Sequence, residues 1–122
     1  MKILIVEDNP AMRRLIRNII GEMAEVFECK DGSEALRLYE RHQPDWVLMD
    51  IRMKNVGGIE ATRRIRQAHS EARVIIVSNY NDKRLRETAR AAGACGYVLK
   101  EDLSALTGIL AATPDSVESK QQ

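Results

Sequence analysis

The sequence predicts an α/β fold, a doubly wound (βα)5 domain built on a five-stranded parallel sheet. Two observations predict it. Five short apolar runs alternate with longer segments of helical period, and four of the runs are nearly continuous in apolar residues, as strands covered on both faces must be. A third sets the scale: 122 residues with 44% hydrophobic content suit one ordinary domain with its own core.

The strand-like runs are residues 3–6, 26–29, 46–49, 74–77 and 97–99. The second, inside EVFECK, mixes glutamates with apolar residues and reads as an edge strand. After the first run, Asn9 is a natural N-cap and Pro10 takes the first helical position, where its missing N–H does no harm. Met12, Leu15, Ile16, Ile19, Ile20 and Met23 then form an inward stripe at helical spacing. Asp31 and Glu34 have capping-box spacing for a second helix that turns Ala35, Leu36 and Tyr39 inward. Gly57-Gly58 reads as a turn into a third helix over about 59–68, and a fourth runs over about 82–92 and stops at Gly93. A fifth begins near Asp102 and carries Leu103, Leu106 and Leu110. Residues 1–112 make the domain; 113–122, TPDSVESKQQ, are polar and aperiodic and are expected to be a mobile tail or the start of a linker. Periodicity does not give the strand order.

Composition excludes several functions. A net charge of +1 leaves no electrostatic footprint for nucleic acid or membrane. The opening apolar run is too short for a signal peptide and acids follow it at once, and no stretch nears the ~18 apolar residues of a membrane span; a cytoplasmic chain is expected. Cys29 and Cys95 form no CxxC pair and read as small buried residues on strands. His42 and His69 sit at polar helix ends. Arg13, Arg14 and Arg17 on the first helix, with Lys83, Arg84, Arg86 and Arg90 on the fourth, read as solvated faces.

Polar residues cluster where the strands stop. The first run ends at Glu7 and Asp8, the third at Asp50, the fourth at Ser78 and the fifth at Lys100. In an open parallel sheet the carboxyl ends share one edge, where ligands bind. Any one of these acids could be a helix cap and the lysine a solvated end, but together they gather three carboxylates, a hydroxyl and an ammonium in one cleft. Adjacent carboxylates beside a buried run need a positive partner. Mg²⁺ fits, since it accepts few carboxylates and keeps several waters. With a lysine and a hydroxyl, that set can hold a phosphoryl group in transfer, an aspartate serving as nucleophile.

VEDNP, LMDIRM, VSN and GYVLK together resemble the response-regulator receiver domain of bacterial two-component signalling, over roughly residues 2–112. The resemblance implies a flavodoxin-like fold with strand order 2-1-3-4-5. It makes Asp50 the phosphoacceptor, Glu7 and Asp8 the acidic metal pair, and the Arg52 backbone carbonyl a further Mg²⁺ ligand. Ser78 matches the hydroxyl that bonds the phosphoryl group, Tyr97 the aromatic switch, and Lys100 the phosphate-pairing lysine. The implied partners are a sensor histidine kinase or phosphotransfer protein, with a second copy or an effector domain on the fourth helix, fifth strand and fifth helix. The implied activity is a signalling switch that catalyses only its own phosphoryl transfer and dephosphorylation. On that strand order Cys29 and Cys95 lie on opposite edges, about 19 Å apart, too far for a disulfide. Glu101 stands where the family usually has proline, Lys54 replaces the proline after DxxM, and Asn79 replaces a small residue. The isomer of the Lys100–Glu101 bond is open.

Rival readings lack a residue each. A phosphatase of the haloacid dehalogenase type wants an acid two positions after its nucleophile, where this chain has Arg52. A nucleotide-binding module wants GxGxxG or GxxxxGK[ST], and neither is present. Within signalling, the chain reads as a stand-alone receiver or as the N-terminal receiver part of a DNA-binding transcriptional regulator. The intact acid, hydroxyl and lysine set argues against a phosphorylation-independent binding module.

Overall fold

A computed structural model describes residues 1–53 and 55–112. Lys54 and the segment 113–122, expected to be a tail or linker, lie outside the described residues. Five strands, β1 (Lys2–Val6), β2 (Glu25–Cys29), β3 (Trp46–Asp50), β4 (Val74–Ser78) and β5 (Gly96–Leu99), alternate with α1 (Pro10–Ile20), α2 (Ala35–His42), α3 (Gly58–Ala68), α4 (Lys83–Ala91) and α5 (Ala105–Ala111). All strand pairs are parallel, and the order is β2-β1-β3-β4-β5, as the resemblance implies. Every residue of β3 and β4 is buried, whereas β2 is mostly half-exposed, which bears out the reading of the continuous runs and of the edge strand.

Alternate residues of each strand feed opposite layers. Leu4, Val6, Val47, Met49, Val74 and Ile76 pack with Ala35, Tyr39, Ala61, Ile65 and Ala89 from α2, α3 and α4. Ile3, Ile5, Leu48, Ile75 and Val77 pack with Ile16, Ile20, Leu106 and Leu110 from α1 and α5. Trp46, at the start of β3, is 7% exposed and lies in this second layer, with the Arg73 guanidinium 5.0 Å from its ring centroid.

Several expectations need correction. Leu15, expected inward, is 45% exposed; Met12, Ile16, Ile19 and Ile20 carry the inward face of α1. Met23 belongs to a 3-10 turn after the helix. Asp31 does cap, but it accepts from Ser33 N–H to start a 3-10 turn, Gly32–Glu34, before α2; Glu34 does not complete the capping box and instead faces Arg37, 3.5 Å away. Likewise a 3-10 turn, Lys100–Asp102, precedes α5 and delays its start to Ala105.

Glycines act where the backbone crowds. Gly57 precedes α3 and Gly58 begins it, as the turn reading requires. Gly93 has φ 110°, and a Cβ there would also strike Arg66 at 2.7 Å; it ends α4 for both reasons.

Cys29 is buried at the end of β2, with its thiol donating to Asp31 O at 3.0 Å. Cys95 is exposed and precedes β5 instead of lying in it, which corrects the expectation of a buried strand residue. Strand pairing begins at Gly96, one residue after Cys95, whose N–H donates to Val74 O at 2.8 Å. Both thiols are free. Burial pushes both thiols up, so alkylation of the native chain is expected to be slow at the exposed Cys95 and to reach Cys29 only on unfolding; mass spectrometry under non-reducing conditions that found a Cys29–Cys95 bond would contradict the sheet order.

Candidate functional site

Each site residue stands where a strand gives out. Glu7 and Asp8 follow β1, Asp50 closes β3, Ser78 closes β4, and Lys100 follows β5. Because β1, β3 and β4 are adjacent, their ends converge: Glu7, Asp8 and Asp50 offer oxygens that all lie within 4.8 Å of one another. Glu7 is 1% exposed and Asp50 7%.

Lys100 reaches across from β5. Its Nζ lies 2.9 Å from Glu7 Oε1 and 3.2 Å from Asp50 Oδ1. Among the described residues, that ammonium is the one partner of the buried Glu7 Oε1. Glu7 Oε2 accepts from Asn9 N–H at 3.2 Å. Asn9 in turn caps α1, its Oδ1 accepting from Ala11 and Met12 N–H.

The electrostatics follow from burial. Desolvation pushes Glu7 up to about 7, against the opposing pull of Lys100 and with added repulsion from Asp50. Burial works against the charge on Lys100, but Glu7 and Asp50 outweigh it and hold the ammonium above its ordinary range. Three acids, two of them buried and Asp8 half-buried, share one ammonium and are short of positive charge. That donor set fits a hard divalent cation with oxygen ligands.

The Glu7 shift has a definite sign in pH. Between its ordinary 4.5 and about 7 the folded chain keeps a proton on Glu7 that the unfolded chain has lost. The folded state binds more protons there, so the Glu7 contribution to stability is present below 4.5 and is lost as pH rises through about 7. Denaturant unfolding of the metal-free chain across this window is expected to show a decline that Glu7→Gln removes. A difference between the two chains that does not vary with pH would contradict it.

Ser78 is 1% exposed, and its Oγ accepts from Tyr80 N–H at 3.1 Å. The other end of the Tyr80 residue accepts from Tyr97: its carbonyl takes the Tyr97 hydroxyl at 2.6 Å. Ser78 and Tyr97 are thus joined through one residue of the loop after β4. The Tyr97 ring lies under the Arg86 guanidinium, 4.5 Å away, and the exposed Tyr80 ring lies under Arg52 at the same 4.5 Å. A groove of about 460 Å³ opens between α4 and β5, with Arg86 and Arg90 on one side and residues 95–97 on the other.

The structure brings together all three predicted acids with Lys100, and it places Ser78 on the strand next to Asp50. Arg52 is exposed, with its guanidinium turned to Tyr80. The Lys100–Glu101 peptide is trans. One neighbour went unread in the sequence: Arg13, assigned to a solvated face, donates to the Glu7 carbonyl oxygen at 2.8 Å. Its only sequence signal is its place one helical turn after the Asn9 cap, with a glutamate on the edge strand opposite.

Comparison with known proteins matches residues 3–111 to the family model described as the response regulator receiver domain. The transcriptional regulatory protein DegU of Brevibacillus brevis is 36% identical over 104 residues, which cover 83% of this chain and 44% of DegU. The chain thus spans less than half of that relative. A crystal structure of a LuxR-family two-component response regulator from Aurantimonas sp. SI85-9A1 superposes with a TM-score of 0.83 at 37% identity, covering 96% of this chain and 92% of that one. The CheX–CheY–BeF3–Mg²⁺ complex of Borrelia burgdorferi gives a TM-score of 0.77 at 27% identity, covering 81% and 77%.

Proposed function

The chain belongs to the response regulator receiver domain family, and from that premise we propose that it is a phosphorylation-driven switch with Asp50 as its single phosphoacceptor. One observation carries the reading: a buried Asp50 carboxylate at the end of β3 with Lys100 Nζ 3.2 Å away and Glu7 and Asp8 within 4.8 Å. Receiver domains are signalling switches; the chemistry proposed here is confined to transfer onto and loss from Asp50.

Glu7, Asp8 and Asp50, with the Arg52 backbone carbonyl, would hold Mg²⁺, which supports charge on the phosphoryl oxygens when bound. An Asp50 oxygen attacks the phosphorus of a phosphodonor, forming an acyl phosphate as the bond to the donor's leaving atom breaks. Lys100, already charged and directed at Asp50, pairs with the added negative oxygens. Ser78 turns its hydroxyl toward them and releases the Tyr80 N–H. Because Tyr80 also holds Tyr97, that release reaches β5 and the Arg86 side of the α4 groove.

The donor in this reading is a sensor histidine kinase or phosphotransfer protein of the cytoplasm, and the responding surface is formed by α4, β5 and α5. The occupant of that surface is a second copy or an effector domain. A second form of this reading is the receiver part of a longer transcriptional regulator, since DegU, 36% identical to this chain, is a transcriptional regulatory protein.

Incubation with a small phosphodonor and Mg²⁺ should add one phosphate, labile to hydroxylamine and absent when a chelator is present. A stable phosphate, or labelling that ignores the chelator, would sink the proposal. On adding beryllofluoride, NMR shifts should spread from residues 50 and 78 to 82–92 and 97–106, and Ser78→Ala should weaken the Tyr97 response while still binding the mimic. A Tyr97 response equally strong in Ser78→Ala would remove Ser78 from the relay.

A further inference from the structure

Resting on the divalent-cation reading above, we propose that Arg13 is a positioning residue for Glu7 and Asp8, fixing the loop after β1 by tying it to edge strand β2 through Glu28. The side chain is 15% exposed, little for an arginine on an outer helix. Its Nη1 donates to the Glu7 carbonyl oxygen at 2.8 Å, and its Nε donates to Glu28 Oε1 at 2.9 Å. The other Glu28 oxygen is held by Arg17 Nη2 at 2.6 Å. Glu28 is therefore a fixed anchor, gripped on both oxygens.

The need for this tie lies in where the sheet ends. The last bond of the β1–β2 edge runs from Glu7 N–H to Cys29 O at 2.9 Å. Beyond it the chain leaves for α1, and the Glu7 carbonyl takes the Arg13 guanidinium as its partner. A planar fork can satisfy a carboxylate and a carbonyl at once, which a lysine ammonium on a flexible stem cannot do in the same geometry. The peptide joining Glu7 to Asp8 thus has its orientation set by Arg13, and both carboxylates hang from that peptide.

Charge and position make opposite predictions here. A guanidinium beside a cation site repels the cation, so on charge alone its removal tightens binding. If Arg13 positions the acids, its removal loosens binding, because outer partners that orient ligands typically contribute about 10-fold or more in metal affinity. Arg13→Lys keeps the charge and loses the fork, which isolates position.

The test is an NMR-followed Mg²⁺ titration of the metal-free chain, with hydrogen exchange at the Glu7 and Asn9 amides measured before metal is added. Arg13→Lys is expected to weaken Mg²⁺ several-fold and Arg13→Ala about 10-fold, with faster exchange at both amides and little change in the unfolding midpoint. Arg17→Ala, which frees one Glu28 oxygen but leaves the Arg13 bond to the Glu7 carbonyl in place, should weaken Mg²⁺ less than Arg13→Lys does. Unchanged or tighter Mg²⁺ binding by Arg13→Lys overturns the proposal even if Arg13→Ala fails to fold. A wild-type chain with no saturable Mg²⁺ shift overturns the cation reading instead, and unchanged exchange at the two amides then removes the hold of Arg13 on the loop as well.

Discussion

Asp50→Asn is expected to reduce phosphate incorporation to background while leaving the fold intact. The amide has the shape of the carboxylate but no nucleophilic oxygen, so the acyl phosphate cannot form. Folding should tolerate the change, and one contact improves. Asp50 repels Glu7 and helps to raise it; with a neutral residue there, Lys100 is left to Glu7 alone. The Glu7 titration should then fall below the value of about 7, visible as a shift in the carboxyl resonance. Labelling of the variant at the wild-type level would mean that another residue takes the phosphate.

Gly58→Ala should cost about 3 kcal/mol and lower the melting temperature by about 10 °C, the upper end of overpacking effects for a domain of this size. A Cβ at this position would sit 1.9 Å from the Asp50 carbonyl oxygen and 2.8 Å from its carbon. These are backbone atoms at the end of a buried central strand, so no side chain can swing aside. Relief requires α3 to move off β3, or Asp50 to move with its carbonyl, and either disturbs the acids. Gly108→Ala is the natural comparison: nothing lies within 4 Å of its added carbon. In the interior of α5 that change should stabilise by about 0.5–1 kcal/mol. Thermal denaturation of the two variants measures both, and equal midpoints would contradict the crowding at Gly58.

Much of this was legible because burial leaves a mark in composition. β3 and β4 are covered on both sides, and such strands must be apolar throughout. β2 lies at an edge and keeps its glutamates, one of which became the anchor for Arg13 and Arg17. The site acids were legible for a related reason: a charge directly after an apolar run is costly unless it has a task. Strand order was not readable from periodicity, since any order buries the same faces; only the resemblance supplied it. Leu15 and Cys95 were misplaced because hydrophobic character alone does not say whether the helix or strand has already covered its neighbour. Arg13 was missed since its partner at Glu7 is a main-chain carbonyl, which no side-chain pattern announces.

The placement of Trp46 decides what optical spectroscopy can see. It begins the strand that Asp50 ends, about 13 Å away along β3, and the chain has one tryptophan. Its emission arises at the far end of the sheet from the acids, within a buried layer under Arg73. Quenching by an ion or a phosphoryl group at Asp50 has no short path to the indole. Tryptophan fluorescence therefore follows global unfolding of this chain free of interference from site occupancy, and occupancy is to be followed through the tyrosines at 80 and 97.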